Sequence, residues 1–307
     1  MVKSDTVRIV SLFRPRHLWT DLVGERMSII FRAPDIAIDR ALERLKRDGI
    51  VHPEAEFNPA ASGGLRREVA YYDRDFLGRL GRTSAEADIV DAALGMLREH
   101  GLVDRTTAYD RAAFDEHRAM IKTAFTGSWT SLSPTMERLI YMLTSVKRPR
   151  HLLELGSFWG YTLAWFAGPC IGPNRSYAAE RVIGVDIDTT MTEQAQKNFA
   201  TLENCEAVRL MAGDARRVLA DLPGPFDFVY IEAKSDYVNK AQGLYLELLK
   251  QVYDRLPAGG WVIAHDSLDW TFAREMAEYL PYVRESGRFT ESVAFEVDDC
   301  GLELSVK

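Results

Sequence analysis

The chain has 307 residues, of which 47% are hydrophobic and 27% charged, and its formal net charge is -7. This is an ordinary globular composition, long enough for two domains, and its acidic balance argues against a nucleic-acid binder that needs a dense Lys/Arg face to release counterions. No apolar run reaches membrane-spanning length, and residues 1–10 lack the apolar core of a signal peptide, so a cytoplasmic protein without nucleic-acid or membrane partners is expected.

Residues 1–125 read as a mostly helical N-terminal domain, with amphipathic stretches separated by polar and glycine-containing breaks and one short apolar run at 7–13. Ile38-Asp39, Ala41-Leu42, Leu45 and Gly49-Ile50-Val51 are echoed by Val90-Asp91, Ala93-Leu94, Leu97 and Gly101-Leu102-Val103. Each copy reads as helix, glycine stop, then strand, the pattern of a small winged-helix-like unit. The second copy is not basic overall, so a homodimer contact or a cover over a substrate pocket is expected ahead of DNA binding. NPAASGGLRR, residues 58–67, has the composition of a flexible loop.

From residue 126 onward the pattern becomes strands alternating with helices, the signature of a parallel sheet covered on both faces. Strands are expected at 151–155, 181–185, 207–212, 226–231 and 261–264. Helices are expected at 134–145, 161–167, 190–202, 215–222, 241–256 and 270–279. Two further strands, 290–297 and 302–306, close as a hairpin around Asp298-Asp299-Cys300-Gly301. The fold expected for 126–307 is therefore a Rossmann-like, doubly wound, mostly parallel seven-stranded α/β sheet ending in an antiparallel hairpin. The connection 168–177 is longer than a helix-to-strand link requires and reads as a surface insertion.

The central motif is HLLELGSFWGYT, residues 151–162, a buried strand running through a glycine turn into a helix. Gly156 and Gly160 let the backbone turn sharply and approach a ligand, while the helix N-terminus presents free N–H groups to an anion. The second strand ends at Asp186, where a carboxylate can hold a ribose diol by two hydrogen bonds. The third ends at Asp214, suited to accept from an adenine amino group. Any one Asp alone could be a helix cap, but three acidic strand ends in succession, with Glu154 the first, point to a nucleoside ligand. The GxGxxG fingerprint of NAD-binding proteins is absent.

These residues give the chain its resemblance to the class I S-adenosylmethionine (SAM)-dependent methyltransferases over 131–307, and locally to their catechol and caffeoyl-CoA O-methyltransferase branch. Ser133-Pro134, the helix 136–143, Lys147-Arg148-Pro149-Arg150 and LELGSFWGYTL carry the local match. The resemblance implies SAM as cofactor, with Gly156, Phe158 and Thr162 around its methionyl part, Asp186 at the ribose, and Asp214 with Ala215 at the adenine. Ser133, Glu154, Ser157, Gly160, Tyr161, Ile187 and Glu232 complete the implied cofactor set.

At the catalytic end the sequence departs from that branch, whose cation-dependent members carry a metal-binding Asp followed three positions later by Lys, and then Asp-Asn. Here the fourth strand ends in Glu232-Ala233-Lys234 and the fifth in His265-Asp266-Ser267. Glu232, Asp266 and Ser267 offer oxygen ligands to Mg²⁺, but Ser is a poor substitute for Asn, so a metal-free site is the first reading and a divalent metal stays open as the second. Glu232, His265 and Asp266 are the catalytic candidates, any of which can take a proton from an acceptor. No NPPY-type sequence, which amino-methylating nucleic-acid enzymes carry, follows the fourth strand.

The expected function is methyl transfer to oxygen or nitrogen of a small, biosynthetic acceptor. Two alternatives remain open: intramolecular cyclisation of SAM to azetidine-2-carboxylate with release of methylthioadenosine, and a non-catalytic SAM-binding regulator. Cys170, Cys205 and Cys300 are odd in number and far apart, and read as reduced structural thiols.

Overall fold

The computed structural model describes residues 19–23, 26–32, 86–126, 132–233, 243–269, 272–298 and 300–307. The run 7–13, the first copy of the echoed segment, the loop 58–67, Lys234 and Asp299 lie outside these residues.

The strands are β1 Trp19–Val23, β2 Arg26–Arg32, β3 His151–Leu155, β4 Arg181–Asp186, β5 Val208–Ala212, β6 Phe228–Ile231, β7 Trp261–His265, β8 Glu291–Glu296 and β9 Leu302–Val306. Among the described residues the helices are α1 Glu86–Glu99, α2 Arg111–Ala124, α3 Pro134–Lys147, α4 Tyr161–Phe166, α5 Thr189–Phe199, α6 Ala215–Asp221, α7 Leu244–Tyr253 and α8 Ala273–Glu285. None of these helices is long and apolar enough to cross a membrane. The sheet runs β1-β2-β8-β9-β7-β6-β3-β4-β5. β3 pairs in parallel with both β4 and β6, and β9 pairs antiparallel with β7 and β8. Strand order reverses between β3 and β6, which opens a crevice at their C-terminal ends.

All seven expected strands are present. Two more join them: β2 pairs in parallel with β8, and β1 extends the sheet beyond it. Residues 1–125 therefore contribute a hairpin to the sheet as well as helices α1 and α2.

Alternation along the central strands separates two apolar layers. Leu152, Phe228 and Tyr230 pack with α1 to α4, while Leu153, Leu155, Val229 and Ile231 pack with α7 and α8. Glu154 therefore points into the first layer, fully buried. Helix α3 begins with Ser133 as N-cap and Pro134 in its first turn, and stops at Arg148 in the left-handed region, just before Pro149.

Helix α1 stops as expected at Gly101, with φ +71° and the Leu102 N–H bonded to the Leu97 carbonyl at 2.9 Å. No strand follows at Leu102-Val103, so the described copy of the echo is a helix and its stop, without the wing of a winged helix. The 168–177 connection is not a surface insertion in its first half. Gly168–Cys170 form a 3-10 turn, buried together with Ile171 against α2 and α3. Helix α8 continues through Pro281 to Glu285, beyond the stop expected at Tyr279.

Candidate active site

The ends of β3, β4, β6 and β7 bring Glu154, Asp186, Glu232, His265 and Asp266 to one crevice. Its floor is the turn after β3. Gly156 has φ +97°, and a Cβ there would overlap the Glu232 backbone, with the carbonyl carbon 2.8 Å away. Glycine is thus required both by its dihedral and by the approach of β6. Gly160, φ +84°, opens α4, and its N–H bonds to the Ser157 carbonyl at 2.7 Å.

Asp186 ties the two walls of the turn together. Its Oδ2 accepts from the Phe158 N–H at 2.7 Å and its Oδ1 from the Asp188 N–H at 2.8 Å. Burial nevertheless raises its carboxyl above the usual range, against those two donors. Beside it stand Phe158 and Ile187, 41% and 75% accessible, the two exposed large hydrophobic side chains among the described residues. Together they offer an apolar surface at the rim of the crevice that a ligand can cover.

Beneath the rim, Glu154 is fully buried and neither of its carboxyl oxygens has a hydrogen-bond partner; the Ser157 hydroxyl is likewise unpartnered. Burial, with the nearby charges of Glu232 and Asp186, pushes the Glu154 carboxyl well above its ordinary value. Orphaned buried polar atoms carry a cost that a cationic or donating ligand relieves. They fit a group with an ammonium and a carboxylate, as the methionyl end of SAM has.

The remaining residues of the expected cofactor set divide. Thr162 is buried in the first turn of α4, and Ala215 opens α6. Ser133 accepts from the Met136 N–H and donates to Asp298 Oδ2 at 2.6 Å, linking α3 to the β8–β9 turn. Asp214 is the N-cap of α6 and pairs with Arg216, which holds its carboxyl below the usual range. Capping, the plainer role for an Asp at a strand end, is therefore one that Asp214 does fill. The Tyr161 ring stacks on Trp159 with centroids 5.1 Å apart, and its hydroxyl donates to the buried Glu137 at 2.8 Å.

Three catalytic candidates meet at the ends of β6 and β7. Glu232 Oε2 accepts from the Tyr230 hydroxyl at 2.9 Å. His265 is fully buried, with Nδ1 3.2 Å from Glu232 Oε1 and 3.5 Å from Asp266 Oδ1. Neither ring nitrogen is aligned as a hydrogen bond, so the approach is electrostatic. Burial works against a charged ring, but the two carboxylates outweigh it and hold the imidazole well above the usual histidine range. Asp266 adopts φ +61°, a left-handed conformation that Asp tolerates better than most residues.

An octahedral oxygen site of the kind Mg²⁺ demands does not fit here. The His265 ring stands between the carboxylates of Glu232 and Asp266. The close donor atoms are a nitrogen, an oxygen and the thiol of Cys300, all within 4.8 Å of one another and all buried. Mg²⁺ takes oxygen ligands and keeps several waters, which a buried N, O and S set does not accommodate. Cys300 and the buried Tyr245 hydroxyl belong to this neighbourhood but carry no sequence signal. They arrive from the β8–β9 turn and α7.

Residues 153–267 match the family model described as a methyltransferase domain. The chain is 26% identical over 159 residues to O-methyltransferase ankF of Aspergillus thermomutatus, covering 50% of this chain and 61% of that protein. It is 29% identical over 107 residues to a catechol O-methyltransferase of Niastella koreensis, covering 34% and 46%. The chain thus spans less than two thirds of the length of these relatives. Among solved structures, cofactor-bound Rv0187 from MTB superposes with a TM-score of 0.50 at 18% identity, over 73% of this chain and 98% of that one. That likeness concerns the fold.

Proposed function

We propose that this chain, whose C-terminal domain has the class I SAM-dependent methyltransferase fold, transfers the methyl group of SAM to a hydroxyl oxygen of a small molecule. The observation that carries the reading is the rim at the ends of β3 and β4, where Asp186 clasps the Phe158 N–H between exposed Phe158 and Ile187. Each Asp186 oxygen keeps a lone pair for a ribose hydroxyl. The exposure of Ile187 supports an adenine face lying against it, and the unpartnered Glu154 and Ser157 atoms support the methionyl end lying beside them.

Bound SAM supplies an electrophilic methyl carbon on a sulfonium. The chain's part is to hold an acceptor oxygen in line with that carbon and to take its proton. Glu232 suits the proton-accepting role because its side chain is 20% accessible, whereas those of His265 and Asp266 are buried, and the Tyr230 hydroxyl fixes one of its oxygens. The names of the relatives favour oxygen as the atom methylated and a catechol as the first acceptor to try. The N-terminal segment, with α1 and α2 packed on the same layer as α3 and α4, suits a cover over the acceptor or a dimer contact.

The test is to incubate the purified protein with SAM alone, with catechol, and with cell extract, and to identify the nucleoside product by mass spectrometry. S-adenosylhomocysteine formed only when acceptor is present is the expected result. Methylthioadenosine from SAM alone, faster than its spontaneous formation, would overturn methyl transfer in favour of cyclisation to azetidine-2-carboxylate. Tight SAM binding with neither product would favour a regulatory role.

A further inference from the structure

The end of β7 carries an arrangement that the methyl-transfer reading does not require. β6 and β7 pair in parallel with Ile231 opposite Ala264, so the next residues along, Glu232 and His265, emerge side by side. Asp266 follows in a left-handed turn that brings its carboxylate back toward the same ring. Two carboxylates brought close at the neighbouring ends of β6 and β7 repel each other, and burial magnifies the repulsion, so what occupies the position beside both matters. That position is filled: His265 Nδ1 lies 3.2 Å from one carboxylate and 3.5 Å from the other. Tyr230 stacks over the ring at 6.4 Å between centroids, and the Tyr230 hydroxyl holds the far oxygen of Glu232.

We propose that the His265 ring takes the place beside Glu232 and Asp266 that a divalent cation would otherwise occupy, so that this site binds no oxygen-seeking divalent ion such as Mg²⁺ or Mn²⁺. The inference deepens the proposed function, resting on it only in that Glu232 faces the acceptor. Full burial of the ring and its near-parallel packing with Tyr230 hold it in this position.

The experiment is a titration of the full-length protein with Mn²⁺, read by electron paramagnetic resonance, beside His265→Ala and His265→Asn. The wild type is expected to leave Mn²⁺ free up to millimolar concentrations. His265→Ala, which removes the ring from beside the Glu232 and Asp266 carboxylates, is expected to bind Mn²⁺ at least ten times more tightly than wild type. Adding Glu232→Gln to that variant should abolish the gain. Stoichiometric Mn²⁺ binding by the wild type that disappears in Glu232→Gln would overturn the proposal, as would a folded His265→Ala with no gain. Zinc that co-purifies with the wild type and is lost in Cys300→Ser would also overturn it. Should His265→Ala not fold, the wild type decides by histidine NMR: broadening of the His265 ring signals by substoichiometric Mn²⁺ overturns the inference, and unchanged signals support it. All these readouts concern metal, so a failure here is distinct from a failure to form S-adenosylhomocysteine.

Discussion

Gly156 and Glu232 are in backbone contact across the ends of β3 and β6: a Cβ on Gly156 would overlap the Glu232 carbonyl oxygen, with the carbonyl carbon 2.8 Å away. The turn proposed to hold the cofactor is thus pressed against the residue proposed to face the acceptor. Gly156→Ala meets both this overlap and an unfavourable φ of +97°, at a cost of about 2 to 4 kcal/mol. Urea unfolding should show that loss, and calorimetry should show S-adenosylhomocysteine binding weakened at least tenfold. A variant as stable and as tight as wild type would mean that the turn is not pinned by β6.

Ile187 separates binding from stability. With 75% of its surface in water it contributes little to folding, so Ile187→Ala should unfold at the same denaturant concentration as wild type. If adenine covers it, the variant loses roughly 1 to 1.5 kcal/mol of ligand burial, about a tenfold rise in the Kd for S-adenosylhomocysteine. Unchanged affinity would remove the adenine from this position.

Tyr161 is expected to behave in the opposite way. Its hydroxyl bonds to Glu137, which is fully buried and also paired with Lys122 at 2.8 Å and Arg118 at 3.3 Å. Tyr161→Phe should lower stability by about 1 kcal/mol and leave S-adenosylhomocysteine affinity within about twofold. A tenfold fall in affinity without loss of stability would return the Tyr161 side chain to the cofactor site.

His117 sets an acid limb on stability. Its Nε2 lies 2.8 Å from the Ala164 carbonyl, joining α2 to α4, and burial pushes its pKa down from 6.5 to about 4. Because the folded value is the lower one, the unfolded chain binds the extra proton first. The contribution is complete above pH 6.5 and is lost as pH falls toward 4, with a ceiling on the order of 3 kcal/mol. Urea unfolding of wild type and His117→Gln at pH 7 and pH 4.5 checks this: the variant should be less stable at pH 7 but depend less on pH over that interval. Parallel pH profiles for the two proteins would count against it.

The seven central strands, the glycine turn and the acidic strand ends were all legible in the sequence. Strands such as HLLEL and FVYI are buried on both faces and so read as continuous apolar runs, and each ends where a turn residue and a carboxylate change the pattern. The hairpin β1–β2 was not legible. WTDLV and RMSIIFR mix polar with apolar residues, and β8, the strand that ties β2 to the sheet, lies more than 250 residues away, so nothing local announces that pairing.

The same division runs through the site. The sequence by itself determined that Glu154, Asp186, Glu232 and Asp266 stand at strand ends around a glycine turn, because strand periodicity and turn chemistry are local properties. Only the tertiary structure decided what each does there: Asp186 holding the Phe158 N–H, Asp214 paired with Arg216, Tyr161 facing Glu137, and His265 standing between two carboxylates. Those outcomes depend on the register of neighbouring strands and on which way a buried side chain must turn to meet an opposite charge. Both are set by residues remote in the chain and close in space.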